Sequence, residues 1–64
     1  MSPREVRIRA RKSQVQVAVD AGVSPPTVRV YEAAPDAVSR TKREALDATY
    51  ARLRASLNQE QSAR

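Results

Sequence analysis

The sequence predicts an all-α fold: a four-helix, helix-turn-helix domain with a long C-terminal helix. Three observations carry this prediction. Ser2, Ser13, Ser24 and Ser39 each stand immediately before a stretch able to form a helix, where a serine hydroxyl can cap the first free backbone N–H groups. The single glycine, Gly22, falls between two of those stretches, where a helix C-terminus favours a residue that tolerates positive φ. After Ser39 the apolar residues Leu46, Tyr50, Leu53 and Leu57 step by four, three and four, the spacing of one helix face.

Taken in order, Ser2-Pro3-Arg4-Glu5 is a helix start, with Pro3 at the first helical position and Glu5 able to reach back to the cap. A first helix from Pro3 to about Arg11 carries Arg4, Arg7, Arg9, Arg11 and Lys12 against Glu5 alone, with Val6 and Ala10 as its inward pair and Ile8 pointing elsewhere. The alternation from Val6 to Ala10 also fits a short strand; the good cap and the lack of a partner strand favour the helix. A second helix, Gln14 to Ala21, has Val17, Ala18 and Ala21 on its inner face, and the small Ala18 allows two short helices to cross closely. Val23 folds inward from the turn. Ser24 caps a third helix that starts on Pro25, runs to about Ala33, and places Val28 against the second. The loop Ala34-Pro35-Asp36-Ala37 ends it, because the residue before a proline disfavours the helical region. The fourth helix runs from Arg40 to about Leu57. Its first turns pack on the helix-turn-helix, leaving Leu53 and Leu57 beyond what so small a core covers. Residues 1–57 thus form one domain, and 58–64 form a polar tail expected to be disordered.

Composition narrows the function. A 64-residue chain with no Phe or Trp and two Tyr builds a thin core, so a partner that adds buried surface is physically reasonable. Without Cys there are no disulfides or thiolate metal sites, and without His the commonest general base and metal ligand is missing. Asp20, Glu32, Asp36, Glu44 and Asp47 are scattered with no ligand spacing, so no metal, cofactor or enzymatic activity is expected. Glu32 is placed to pair with an arginine of the first helix. Twelve Lys and Arg against seven acids give +5, a balance that favours polyanions or is simply a solvated basic face. No apolar run has the length of a membrane span or a signal core, and a cytoplasmic, nucleoid-associated location is the expectation.

Two caps around one glycine describe the geometry with which a second helix enters a DNA major groove. The outward residues of that helix are Pro25, Pro26, Thr27, Arg29 and Val30. Arg29 alone among them can bond a guanine edge twice, while the proline rings and Val30 can pack on a thymine methyl. Gln14, Ser24 and Ser39 mark three helix starts where free N–H groups welcome phosphate, and Arg40 and Lys42 flank the last. The basic first helix is a further candidate for backbone contact. Tyr50, Leu53 and Leu57 form the candidate dimer interface.

Ser13-Gln14, Val17-Ala18, Gly22-Val23-Ser24, Val28 and Glu32 resemble the helix-turn-helix of lambda-repressor/Cro-type regulators. Val17-Ala18, Ala21-Gly22-Val23-Ser24, Thr27-Val28, Val38-Ser39, Arg43-Glu44 and Leu53 also resemble the DNA-binding headpiece of the lactose-repressor family. Val30-Tyr31-Glu32 after Thr-Val-Arg is similar, third, to regulators of the mercury-resistance type. The resemblance implies an all-α fold, a homodimer on a palindromic double-stranded operator, and a role in transcriptional control. By position it implies Gln14 and Ser24 for phosphate, Pro25, Pro26 and Val30 for bases, and Ser39 for the backbone. Both of the first two families usually have polar residues where Pro25, Pro26 and Val30 stand, so no operator carries over. The lactose-type hinge after Leu53 is missing, and no small-molecule effector is implied.

The expected function is that of a small sequence-specific DNA-binding regulator, a repressor in sign. Two other readings stay open on sequence alone. One is a protein-interaction module, antitoxin-like or an adaptor, with a degenerate helix-turn-helix. The other is an architectural factor that bends DNA.

Overall fold

The computed structural model describes residues 1–62, with side chains through residue 59, and it is all-helical as expected. Its elements are α1 (Pro3–Arg9), α2 (Gln14–Ala21), α3 (Pro25–Ala33), a 3₁₀ turn at Pro35–Ala37, and α4 (Arg40–Ser62).

The serine caps start the first three helices. Ser2 Oγ accepts from the Glu5 N–H and donates to the Glu5 carboxylate. At Ser13 the capping box is complete: its hydroxyl accepts the Gln16 N–H at 3.0 Å while its own N–H reaches the Gln16 amide oxygen at 2.7 Å. Ser24 Oγ accepts the Thr27 N–H and lies 2.8 Å from the Thr27 hydroxyl. At α4 the Ser39 carbonyl takes the Arg43 N–H, and the Ser39 hydroxyl has no hydrogen-bond partner among the described residues.

Two helix ends close by the same device. After α2, Gly22 takes φ +73° and the Val23 N–H returns to the Ala18 carbonyl. After α1, Arg11 takes φ +58°, the Arg11 N–H bonds the Ile8 carbonyl and the Lys12 N–H bonds the Arg7 carbonyl. This left-handed turn ends α1 at Arg9, short of the expected Arg11. Arginine gives no sequence sign of such a turn, because left-handed backbone is strained for a residue with a Cβ.

The core is one cluster of Val6, Val17, Ala18, Val28, Tyr31, Val38, Leu46 and Tyr50, with Ala21, Val23, Leu53 and Leu57 packed at its margin. Ile8 stays exposed, as its position on α1 predicts. Tyr31 and Tyr50, the only aromatic residues of the chain, stack with ring centroids 5.2 Å apart. Thr49, buried on α4, satisfies its hydroxyl on the Ala45 carbonyl. The last helix does not stop at Leu57. Asn58 to Ser62 contain neither glycine nor proline, so the 23-residue helix continues through what was expected to be a disordered tail, and Ala63 and Arg64 lie outside the described residues. At about 35 Å, α4 is far longer than the body it packs on, and the molecule measures 38 by 18 by 18 Å.

Candidate nucleic-acid interface

The orientation of α3 is fixed by one carboxylate. Glu32, 5% exposed, faces inward beside Val28 and Tyr31 and receives a hydrogen bond from each of the other three helices. Arg7 of α1 donates through Nε at 2.6 Å and Nη2 at 3.2 Å, Gln14 of α2 through Nε2 at 3.2 Å, and Tyr50 of α4 through its hydroxyl at 2.5 Å. Arg7 also donates to the Lys12 carbonyl and so ties down the left-handed turn.

Burial pushes the Glu32 carboxyl up, but the bonds from Arg7, Tyr50 and Gln14 together outweigh it and hold the group below its ordinary value. The Arg7 guanidinium is raised in turn, chiefly by its bond to Glu32. Tyr50 is raised by burial and then by Glu32. Tyr31, whose hydroxyl donates to Asp47 at 2.5 Å, is pushed up to about 12 by burial first and Asp47 second. No buried side-chain polar atom among the described residues lacks a partner. The inner face of α3 is therefore chemically saturated.

Its outer face is different. Pro25, Pro26, Arg29 and Val30 are exposed, Val30 by 42%. With period 3.6 these residues and Ala33 share one side of α3, opposite Val28 and Tyr31. A shallow groove joins Pro26, Thr27 and Val30 to Val38, Ser39 and Lys42, so the N-terminus of α4 borders one flank of the face. On the other flank Arg29 lies in a cleft with Arg4, Gln14 and Ala33. The fold thus brings most of the sequence-predicted DNA residues to one side, on three elements.

Some of these side chains are already engaged. Gln14 is half-buried and gives an amide N–H to Glu32, leaving its other N–H for an outside acceptor. The Thr27 hydroxyl is held by Ser24, so both act first as caps. Arg40 leans on Glu44 at 3.1 Å in an exposed pair, away from the groove residues. Lys42 and the Ser39 hydroxyl have no such engagement among the described residues.

Of the three candidate dimer residues, Tyr50 belongs to the core. Tyr50 is 3% exposed, stacked on Tyr31 and bonded to Glu32, and offers no surface to a second copy. Leu53 and Leu57 are half-buried against the end of α1. The monomer takes up most of the apolar seam because α4 needs it to close the core.

Sequence reasoning anticipated an Arg–Glu pair between α1 and α3, and the structure places it at Arg7–Glu32. The convergence of Gln14 and Tyr50 on the same carboxylate went unforeseen. A hint exists: Glu32 stands four residues after the inward Val28, which puts it on the core side. Also unforeseen are Val15 and Val19, 57% and 76% exposed on the outer side of α2. No helix among the described residues is long and apolar enough to cross a membrane, and no group of three His, Cys, Asp or Glu gathers there. Comparison with protein-family models, curated proteins and solved structures finds no match for this chain.

Proposed function

We propose that this protein is a small sequence-specific DNA-binding regulator that reads double-stranded DNA with the outer face of α3. The observation that carries the proposal is the contrast between an inner face closed by Glu32 and an exposed outer face flanked by the starts of α2 and α4. The major groove, about 12 Å wide, admits one helix, and the side chains on its exposed face then meet base edges.

In this reading Arg29 donates two of its guanidinium N–H bonds to the O6 and N7 of a guanine, and Pro26 and Val30 pack on thymine methyls. Neither can reject a base by hydrogen bonding, so discrimination at those steps rests on the methyl group. Lys42 and the Ser39 hydroxyl hold phosphates on one side. The free N–H of Gln14 holds one on the other, and the net charge of +5 supplies the nonspecific attraction. Occupancy of a promoter site, in the nucleoid, represses by exclusion. Two copies on an inverted repeat meet on the DNA, not through a preformed Tyr50 seam.

The test separates reading from clamping. Arg29→Ala removes discrimination between a selected site and random duplex, whereas Lys42→Ala weakens both alike and lowers the slope of log affinity against log salt by about one. Retained discrimination in Arg29→Ala, measured by fluorescence anisotropy, assigns the reading to other residues.

A further inference from the structure

At the opposite end of α4 from Ser39 the structure has a second, differently built surface. The turn after α1 and the C-terminal half of α4 enclose a groove of about 400 Å³, lined by Arg9, Ala10, Arg11, Lys12, Leu53, Ser56 and Leu57. Its floor is two leucines at i and i+4 with a small serine beside them. Three cations, Arg9 at the end of α1 and Arg11 and Lys12 just after it, form its rim. None of the three pairs with a carboxylate among the described residues, and on α4 Arg52 and Arg54 flank the leucine line on either side. From Lys42 to Ser56 the helix rises about 21 Å, so this groove is remote from the α3 face.

We propose that this groove docks an acidic amphipathic helix of a partner protein. The leucine pair offers the ridge and hollow into which a helix seats its own i, i+4 apolar residues. Acidic side chains on such a helix then meet Arg9, Arg11 and Lys12 across the groove and Arg52, one turn before Ser56, along α4. Charge decides against a second copy. A two-fold contact would lay this cationic rim on itself, with no described carboxylate in the groove to offset it. Charge also favours fast capture, because the whole chain is positive and attracts an acidic partner from a distance. Duplex DNA matches the rim but leaves the leucine floor unused.

The backbone adds a second observation. Arg11 sits at φ +58°, where glycine would be unstrained, and its side chain is part of the rim. Arginine at that position gives up backbone comfort and keeps a cation at the groove.

The test uses a fluorescent synthetic helical peptide with leucines at i, i+4 and i+7 and glutamates elsewhere, beside a scramble of identical composition. The patterned peptide binds the intact protein at least tenfold more tightly than the scramble. Arg9→Glu with Arg11→Glu weakens it at least tenfold, and Leu57→Asp does the same. Arg11→Gly guards against misfolding: it weakens the peptide several-fold while raising Tm by a few degrees. Equal binding of peptide and scramble overturns the proposal, since charge alone then explains the capture. So does a concentration-dependent dimer in sedimentation that Leu57→Asp abolishes, or displacement of the peptide by a short duplex. The proposal does not rest on the DNA reading: the peptide titrations contain no DNA, and a duplex enters only in the displacement experiment.

Discussion

The two faces of α3 differ in almost every physical respect although they belong to the same nine residues. Inward, Val28 and Tyr31 are buried and Glu32 collects donors from three helices. Outward, Pro25, Pro26, Arg29 and Val30 are exposed to solvent. A substitution on the inner face removes contacts the fold already makes. One on the outer face removes contacts only a partner could complete.

Glu32→Ala, on the inner face, has the largest expected effect. It strands Arg7 and the Tyr50 hydroxyl away from water, and truncating one partner of a buried pair costs about 3 to 5 kcal/mol. A chain of this length has a total stability on the order of 3 to 10 kcal/mol, so urea unfolding of the variant shows a marginal or unfolded protein. The same carboxylate sets the acid limit. Its folded pKa is depressed, so its contribution is complete above the unfolded value of about 4.3 and is lost as pH falls through the lower folded value. Tyr31 and Tyr50 are raised, so their contribution is complete below about 10 and fades as pH climbs beyond it. Stability measured against pH should be level between these limits and fall at both ends.

Arg29→Ala is the outer-face counterpart. Operator discrimination drops by about 1 to 3 kcal/mol while Tm stays within the scatter of a surface change. A smaller effect separates the two left-handed turns. Arg11→Gly relieves strain and stabilises by about 1 kcal/mol, whereas Gly22→Ala destabilises by a similar amount even though no atom lies within 4 Å of the added Cβ. Opposite signs in thermal unfolding confirm that conformation, not space, governs both. The smallest effect concerns the apolar readout: replacing one contacted thymine by uracil removes a methyl worth about 0.8 kcal/mol, roughly fourfold in affinity.

What could be read from the sequence was local. Four helix starts, the Gly22 turn, the inward Val17, Ala18 and Val28, and the exposure of Ile8 follow from rules acting within a few residues. What could not be read was long-range or conformationally silent. Gln14 and Tyr50 converge on Glu32 across 18 residues of chain in each direction, a coincidence no spacing announces. Arg11 carries no mark of left-handed backbone, and so α1 ended early. The heptad spacing of α4 was visible but its use was not: Tyr50 went to the core because α3 presents Tyr31 and Glu32 to it. The same face of α4 left Leu53 and Leu57 beside a cationic turn whose position depends on that hidden strain.

Sequence reading by the outer face of α3 leaves a signature in the DNA it selects. Selection from a randomised duplex library at near-physiological salt, with wild type and Arg29→Ala in parallel, tests it most directly. The expected result is an enriched site in the wild type holding a guanine next to thymines, with the guanine preference lost in the variant. Salt-sensitive binding with no enriched sequence would contradict it.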